Sequence, residues 1–262
     1  MDKFEVHLVE HCNLKCQCCD NYSSIAEEEY TNEIIFRNDM ERMSQLFPEV
    51  KVIRLLGGEP LLHPNITFFL KVARRYFTDA EIRVTTNATL LSKMHEDFWK
   101  TCYDNKIIIE YTYYPIPMKR KFHKELGRKY YVVLTPAFDE YFTEFKQNKT
   151  SYRFTVSGTK DKDINYNWQN CPRRNWGCIS LKNGKLYPCT CVPNIYHFNK
   201  FFHKNLEVTE QDSINIYTHN ADEINEFLQH PIPFCGYCNI GKELYDIPWS
   251  ITKNKLSEWY ED

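Results

Sequence analysis

Apolar positions fall into two alternating rhythms over the first 158 residues. Short aliphatic and aromatic runs at 4–9, 50–56, 81–86, 107–113, 130–134 and 152–156 predict strands. Between them, Ile35, Phe36, Met40, Met43 and Phe47 recur every three to four residues, as do Phe68, Val72, Ala73 and Tyr76, the period of an amphipathic helix. Asn65, after Pro64, stands where it can cap the second of these. Strands alternating with helices predict a parallel sheet with right-handed crossovers. Six such units fall short of the eight that close a barrel. The expected fold class is therefore α/β, a partial (β/α)6 barrel over residues 1–158.

The rhythm is lost after residue 159. Positions 161–170 are polar and turn-rich, and irregular aromatic sequence follows. Asn183-Gly184 between short apolar runs at 179–182 and 185–187 predicts a two-residue hairpin. One helix is expected near 221–229. Residues 159–262 thus read as a second, small, cysteine-rich domain.

Composition narrows the function. The 262 residues are 42% hydrophobic and 26% charged, with a net charge of -2. No basic surplus points to nucleic acid, no apolar run nears the ~20 residues of a membrane span, and no secretory leader is visible. Cytoplasm is the expected location. Eleven cysteines in such a chain point away from disulfides and toward metal binding or catalysis.

Cys12, Cys16 and Cys19 share the loop after the first strand, in the run Cys12-Asn13-Leu14-Lys15-Cys16-Gln17-Cys18-Cys19. Such a loop can present three thiolates to three irons of a [4Fe–4S] cube and leave the fourth iron open. Zinc sites favour C-x2-C pairs instead. At the end of the second strand, Gly57-Gly58-Glu59-Pro60 offers close backbone approach and a carboxylate suited to an amine.

Together these motifs resemble the radical S-adenosylmethionine (SAM) superfamily. The resemblance implies that Cys12, Cys16 and Cys19 hold the catalytic cluster, and that Gly57, Gly58 and Glu59 bind the methionyl end of SAM. Thr86, Asn87 and Thr112 match further SAM-contacting positions. Two departures stand out: Ala88 replaces a usual glycine, and Cys18 replaces the usual aromatic residue before the third cysteine.

The later cysteines are similar to the superfamily's SPASM/twitch extension, in its smaller, one-cluster form. Cys171, Cys189, Cys235 and Cys238 are the expected auxiliary ligands, with Cys178 an alternative to Cys171 and four-thiolate zinc the competing occupant. Cys102 reads as a core thiol, and His11 and His63 as structural. The implied cofactors are SAM and two [4Fe–4S] clusters, with a flavodoxin- or ferredoxin-type electron donor. Similarity to short aminocyclitol dehydrogenases and to members from polysaccharide gene loci points to a small, sugar-like substrate oxidised from alcohol to ketone. Arg153 has two readings, a base beside that substrate or a surface salt bridge. Peptide maturation, sugar epimerisation and a non-catalytic iron–sulfur or zinc module are the alternatives.

Overall fold

A computed structural model describes residues 1–112, 114–116, 120–136 and 150–262, with the backbone alone at 120–124, 150 and 151. Strands β1 (Lys3–Val9), β2 (Val52–Gly57), β3 (Glu81–Thr86), β4 (Ile108–Tyr111) and β5 (Leu134–Pro136) lie in sequence order and pair in parallel. Helices α1 (Glu33–Leu46), α2 (Ile66–Tyr76), α3 (Glu96–Asp104) and α4 (Arg120–Tyr130) connect them.

Parallel strands covered on both faces usually read as unbroken apolar runs. These alternate. Phe4, Ile53 and Ile82 are register neighbours and fully buried, as are Val84 and Ile109. The intervening positions, Glu5, Arg54, Arg83 and Glu110, are charged. One face packs on the helices, and the other is polar and turns inward.

On the far side of β1 the sheet continues through β7 (Ser180–Lys182), β8 (Lys185–Tyr187) and β9 (Ile214–Asn215). The first pairs in parallel with β1, and the next two form the expected hairpin and its antiparallel neighbour. Asn183 and Gly184 both take positive φ, 49° and 74°, as a two-residue turn of this kind requires. The sheet therefore crosses the boundary expected at residue 158. Leu181, Leu186, Ile214 and Ile224 also join the core beneath the barrel strands.

The sixth strand departs from expectation. β6 (Thr150–Arg153) pairs antiparallel with β10 (Leu244–Pro248) in a separate two-stranded sheet. Its aromatic run packs elsewhere: Tyr152 and Phe154 lie 5.3 and 5.9 Å from the Trp176 ring. Tyr113, at the end of the expected fourth strand, lies outside the described residues.

Asn65 occupies the N-cap position of α2 without capping it, because its side chain bonds to Glu33 at 2.7 Å instead. The polar stretch 161–170 contains a helix, α5 (Ile164–Asn170), capped by Asp163. The short α6 (Pro172–Asn175), then α7 (Ile195–Phe202) and α8 (Ala221–Phe227), complete the α-helices among the described residues. Phe198, Phe234 and Trp259 centre a second core in the C-terminal half.

Candidate active site: two groups of thiols

The first group is built where β1 and β2 end. Gly58 N donates to the Val9 carbonyl at 2.7 Å and Glu59 N to His11 at 3.2 Å, drawing the Gly-Gly-Glu turn under the cysteine loop. A side chain has no room there. A Cβ on Gly57, whose φ is 142°, would meet the Val9 carbonyl oxygen at 2.1 Å, and one on Gly58 the His11 oxygen at 2.0 Å.

Above this turn opens a cavity of about 410 Å³, and Cys12, Cys16 and Cys19 all line it. Gly57, Gly58, Thr86, Asn87 and Thr112 line it as well. Several N–H groups point at the sulfurs, among them the backbone amides of Asn21 and Ser23 at Cys19. Leu14 N and Asn87 Nδ2 reach Cys12 Sγ at 3.3 and 3.6 Å, and Trp249 Nε1 reaches Cys16 Sγ at 3.1 Å. Without a metal, burial pushes the Cys19 thiol up to about 11, and the neighbouring Cys16 adds to this. Donors aimed at sulfur suit the charged, metal-bound form.

Glu59 is placed otherwise than its expected role requires. Its carboxylate is fully buried and accepts from Thr86 Oγ1 (2.6 Å), Asn87 N (2.8 Å) and Leu61 N (3.1 Å). It does not line the cavity; it holds in place two residues that do. Burial raises its pKa to about 7 despite those three donors. Ala88, at the usual glycine position, has φ of 63° and donates its N–H to Thr86 Oγ1 at 3.0 Å.

The second group surrounds a cleft of about 20 Å³ lined by Cys171, Cys189, Cys235 and Cys238. Asn167 Nδ2 donates to the carbonyls of Cys235 and Cys238, both at 2.7 Å, fixing that loop against α5. Burial pushes Cys235 up to about 11 and holds Cys189 and Cys238 well above the usual thiol range. Cys178 is not in this group. It lines the larger cavity, and burial pushes it up to about 12. Cys191 is the further thiol beside the small cleft, its sulfur 3.1 Å from the Tyr22 hydroxyl.

The two groups are tied together. Asp20, next to Cys19, accepts two bonds of 2.9 Å from Arg173 Nε and another from Arg173 Nη2. Burial works against the Arg173 charge, but Asp20 outweighs it and keeps the guanidinium firmly protonated. Segment 249–252 also returns to the first loop: Gln17 N donates to Ser250 O at 3.0 Å and Thr252 N to Lys15 O at 2.7 Å.

Arg153 takes the salt-bridge reading. Its guanidinium bonds Glu261 at 3.0 and 3.1 Å and the Ser257 carbonyl at 2.8 Å, and it does not line the cavity. Cys102 is fully buried in α3, with its thiol pushed up by burial. His63 bonds backbone and packs on Phe69 at 4.4 Å. Tyr114, from the aromatic run at 111–114 in which spacing could not single out a cavity residue, lies on the cavity wall, and sequence patterns missed Trp249 and Tyr152 there, since no spacing linked them to the cysteine loop. Glu5 and Asp20 left a signal: a charge inside a strand, and a charge beside a cysteine.

The radical SAM superfamily profile matches residues 6–108. The chain carries a radical SAM domain. It is similar to GTP 3′,8-cyclase of Aliarcobacter butzleri, 33% identical over 95 residues, which is 36% of this chain and 29% of that one. GTP 3′,8-cyclase of Trichodesmium erythraeum is 34% identical over 106 residues, 38% of this chain and 31% of its own. The match thus spans under a third of these relatives. Among solved structures, BtrN in complex with AdoMet and 2-DOIA superposes with a TM-score of 0.51 at 18% identity, over 91% of this chain and 93% of BtrN. The anSMEcpe protein with bound AdoMet gives 0.51 at 14% identity, over 90% of this chain and 83% of its own. These two likenesses describe the fold. Radical SAM domains use a [4Fe–4S] cluster and SAM, and the thiol loop with its N–H donors fits that cluster.

Proposed function

We propose that this enzyme removes hydrogen from a small, sugar-like substrate and oxidises an alcohol to a ketone. Cys12, Cys16 and Cys19 would hold the cluster, which with bound SAM would supply the radical chemistry that removes a hydrogen atom from carbon. Gly57 and Gly58 give backbone room for the methionyl end of SAM, while Thr86, Asn87 and Thr112 face the same cavity. Glu59 acts through Thr86 and Asn87 as a positioning residue.

The observation that carries the oxidative reading is the second thiol group. A ketone requires loss of a hydrogen atom, a proton and one further electron. A cluster held by Cys171, Cys189, Cys235 and Cys238 would supply an acceptor for that electron. The Asp20–Arg173 pair keeps the two thiol groups in a fixed relation.

The test uses anaerobically reconstituted protein, SAM, a flavodoxin-type reductant and 2-deoxy-scyllo-inosamine deuterated at its carbinol carbons. One deuterium should enter 5′-deoxyadenosine per ketone formed. Epimerisation, which leaves the oxidation state of the substrate unchanged, has one observation in its favour: Cys178, kept protonated, lines the cavity where it can return a hydrogen atom, its thiyl radical then taking an electron from the flavodoxin-type reductant and a proton from water. Solvent deuterium appearing in an inverted, unoxidised product, lost in Cys178→Ala, selects that reading over oxidation.

A further inference from the structure

The inward face of the sheet carries a row of charges that the chemistry above does not use. Glu5 on β1 and Arg54 on β2 are register partners, and Arg54 is in turn the partner of Arg83 on β3. Glu110 on β4 accepts from Arg54 at 3.2 Å, Arg83 at 3.1 Å and Thr85 at 2.8 Å. The row leaves two groups over. Arg54 Nε is buried with no hydrogen-bond partner among the described residues. The Glu5 carboxyl, on a residue only 8% exposed, has none either and lines the cavity. The Nε itself is sealed off, but the Arg54 side chain is a quarter exposed and lines the cavity beside Glu5, and a carboxyl without a partner on so buried a residue is uncommon.

The charges also balance among the described residues. Glu110 answers Arg54, Glu81 answers Arg83, Asp20 answers Arg173, and Lys3 lies in the field of Glu5. Desolvation is the strongest influence on Glu5 and raises its pKa, so the carboxyl gains by acquiring a donor. An incoming phosphate would meet this carboxyl with each nearby cation already answered by an acid, a desolvated repulsion. An amine or hydroxyl would instead supply the missing donor.

We propose that Glu5 and Arg54 recognise the substrate. The carboxyl accepts from a hydroxyl or ammonium, the Arg54 guanidinium donates to an adjacent oxygen, and the pair selects small polyols, neutral or aminated, over phosphorylated molecules. The inference rests on the reading above only for placing substrate in this cavity.

Calorimetric titration of the reconstituted, SAM-loaded full chain without reductant tests it. The probes are 2-deoxy-scyllo-inosamine, myo-inositol, glucose 6-phosphate and GTP. At least one unphosphorylated probe should bind, and more tightly than either phosphorylated one. Glu5→Gln should weaken that binding about tenfold or more, and Arg54→Lys should weaken it too. Iron content and circular dichroism check folding, and Arg54→Lys carries the comparison if Glu5→Gln does not fold. Tightest binding of GTP or glucose 6-phosphate, no binding of either polyol, or unchanged affinity in the folded variants overturns the proposal. No turnover is involved, so a protein that binds the polyol but makes no 5′-deoxyadenosine defeats the reaction reading alone.

Discussion

The two thiol groups differ in how the chain builds them. Cys12, Cys16 and Cys19 lie on one loop, and a cavity wide enough for a ligand opens above them. Cys171, Cys189, Cys235 and Cys238 come from three separated segments and close around almost no free space. One arrangement leaves room for chemistry, and the other seals itself. The contrast teaches how each should respond to damage. A contiguous loop can lose its metal while the fold survives, whereas a centre joining distant segments makes metal binding part of folding.

The sharpest way to break this contrast is to empty each group in turn. Two [4Fe–4S] clusters amount to about eight irons. The triple variant Cys12→Ala, Cys16→Ala, Cys19→Ala should retain about half of them and lose all 5′-deoxyadenosine formation. The double variant Cys235→Ala, Cys238→Ala should also lose about half the iron, yet keep SAM cleavage and show the larger fall in melting temperature. Stoichiometric zinc with only about four irons in the unmodified protein would falsify the paired-cluster reading. Equal melting temperatures for the two variants erase the distinction between local and distant ligands.

A smaller effect sharpens the first site. Glu59→Gln places an amide NH2 either against the Asn87 N–H or against the Thr86 hydroxyl and Leu61 N–H, each of which now finds a carboxylate oxygen, destabilising the fold by about 1–3 kcal/mol. SAM affinity should fall with it, because Thr86 and Asn87 lose their anchor. The pH dependence has a definite sign. The folded pKa, near 7, lies above the ordinary 4.5, so the folded state holds the extra proton between those values. Stability of the metal-free protein therefore declines as pH rises from 4.5 toward 7. Urea midpoints at pH 5 and pH 8 should converge in Glu59→Gln, and an unchanged difference assigns the pH response to other groups.

Legibility followed the same divide. The strand–helix rhythm gave five parallel strands because apolar alternation is local, and Gly57-Gly58 stood out because no side chain fits there. The position of Thr150–Arg153 was beyond such reasoning, since its partner lies some ninety residues later, at Leu244–Pro248. Arg153 illustrates the consequence: of the two readings left open in sequence, the structure takes the salt bridge, with Glu261. Cys178 and Cys191 show the limit of counting thiols. Their neighbours are set by the β1–β7 pairing and by Tyr22, neither of which spacing reveals.

The smallest effect concerns Ala88, and magnitudes decide its sign. A left-handed φ of 63° costs a residue with a Cβ about 1–2 kcal/mol, which glycine avoids. Against that, Ala88→Gly removes a buried methyl worth about 0.8 kcal/mol. It also frees the unfolded chain by about 0.4–1 kcal/mol. The three nearly cancel, so stability should stay within about 0.5 kcal/mol of the parent. Ala88→Val keeps the strain and adds two methyl groups beside Thr86 Oγ1, so it should destabilise by about 2 kcal/mol or more and weaken SAM binding. Chemical denaturation separates the outcomes. A large loss in Ala88→Gly means the methyl is packing the Glu59–Thr86–Asn87 anchor, and the departure from glycine then contributes to the site. A neutral Ala88→Gly beside a damaged Ala88→Val means that the turn demands only a small residue.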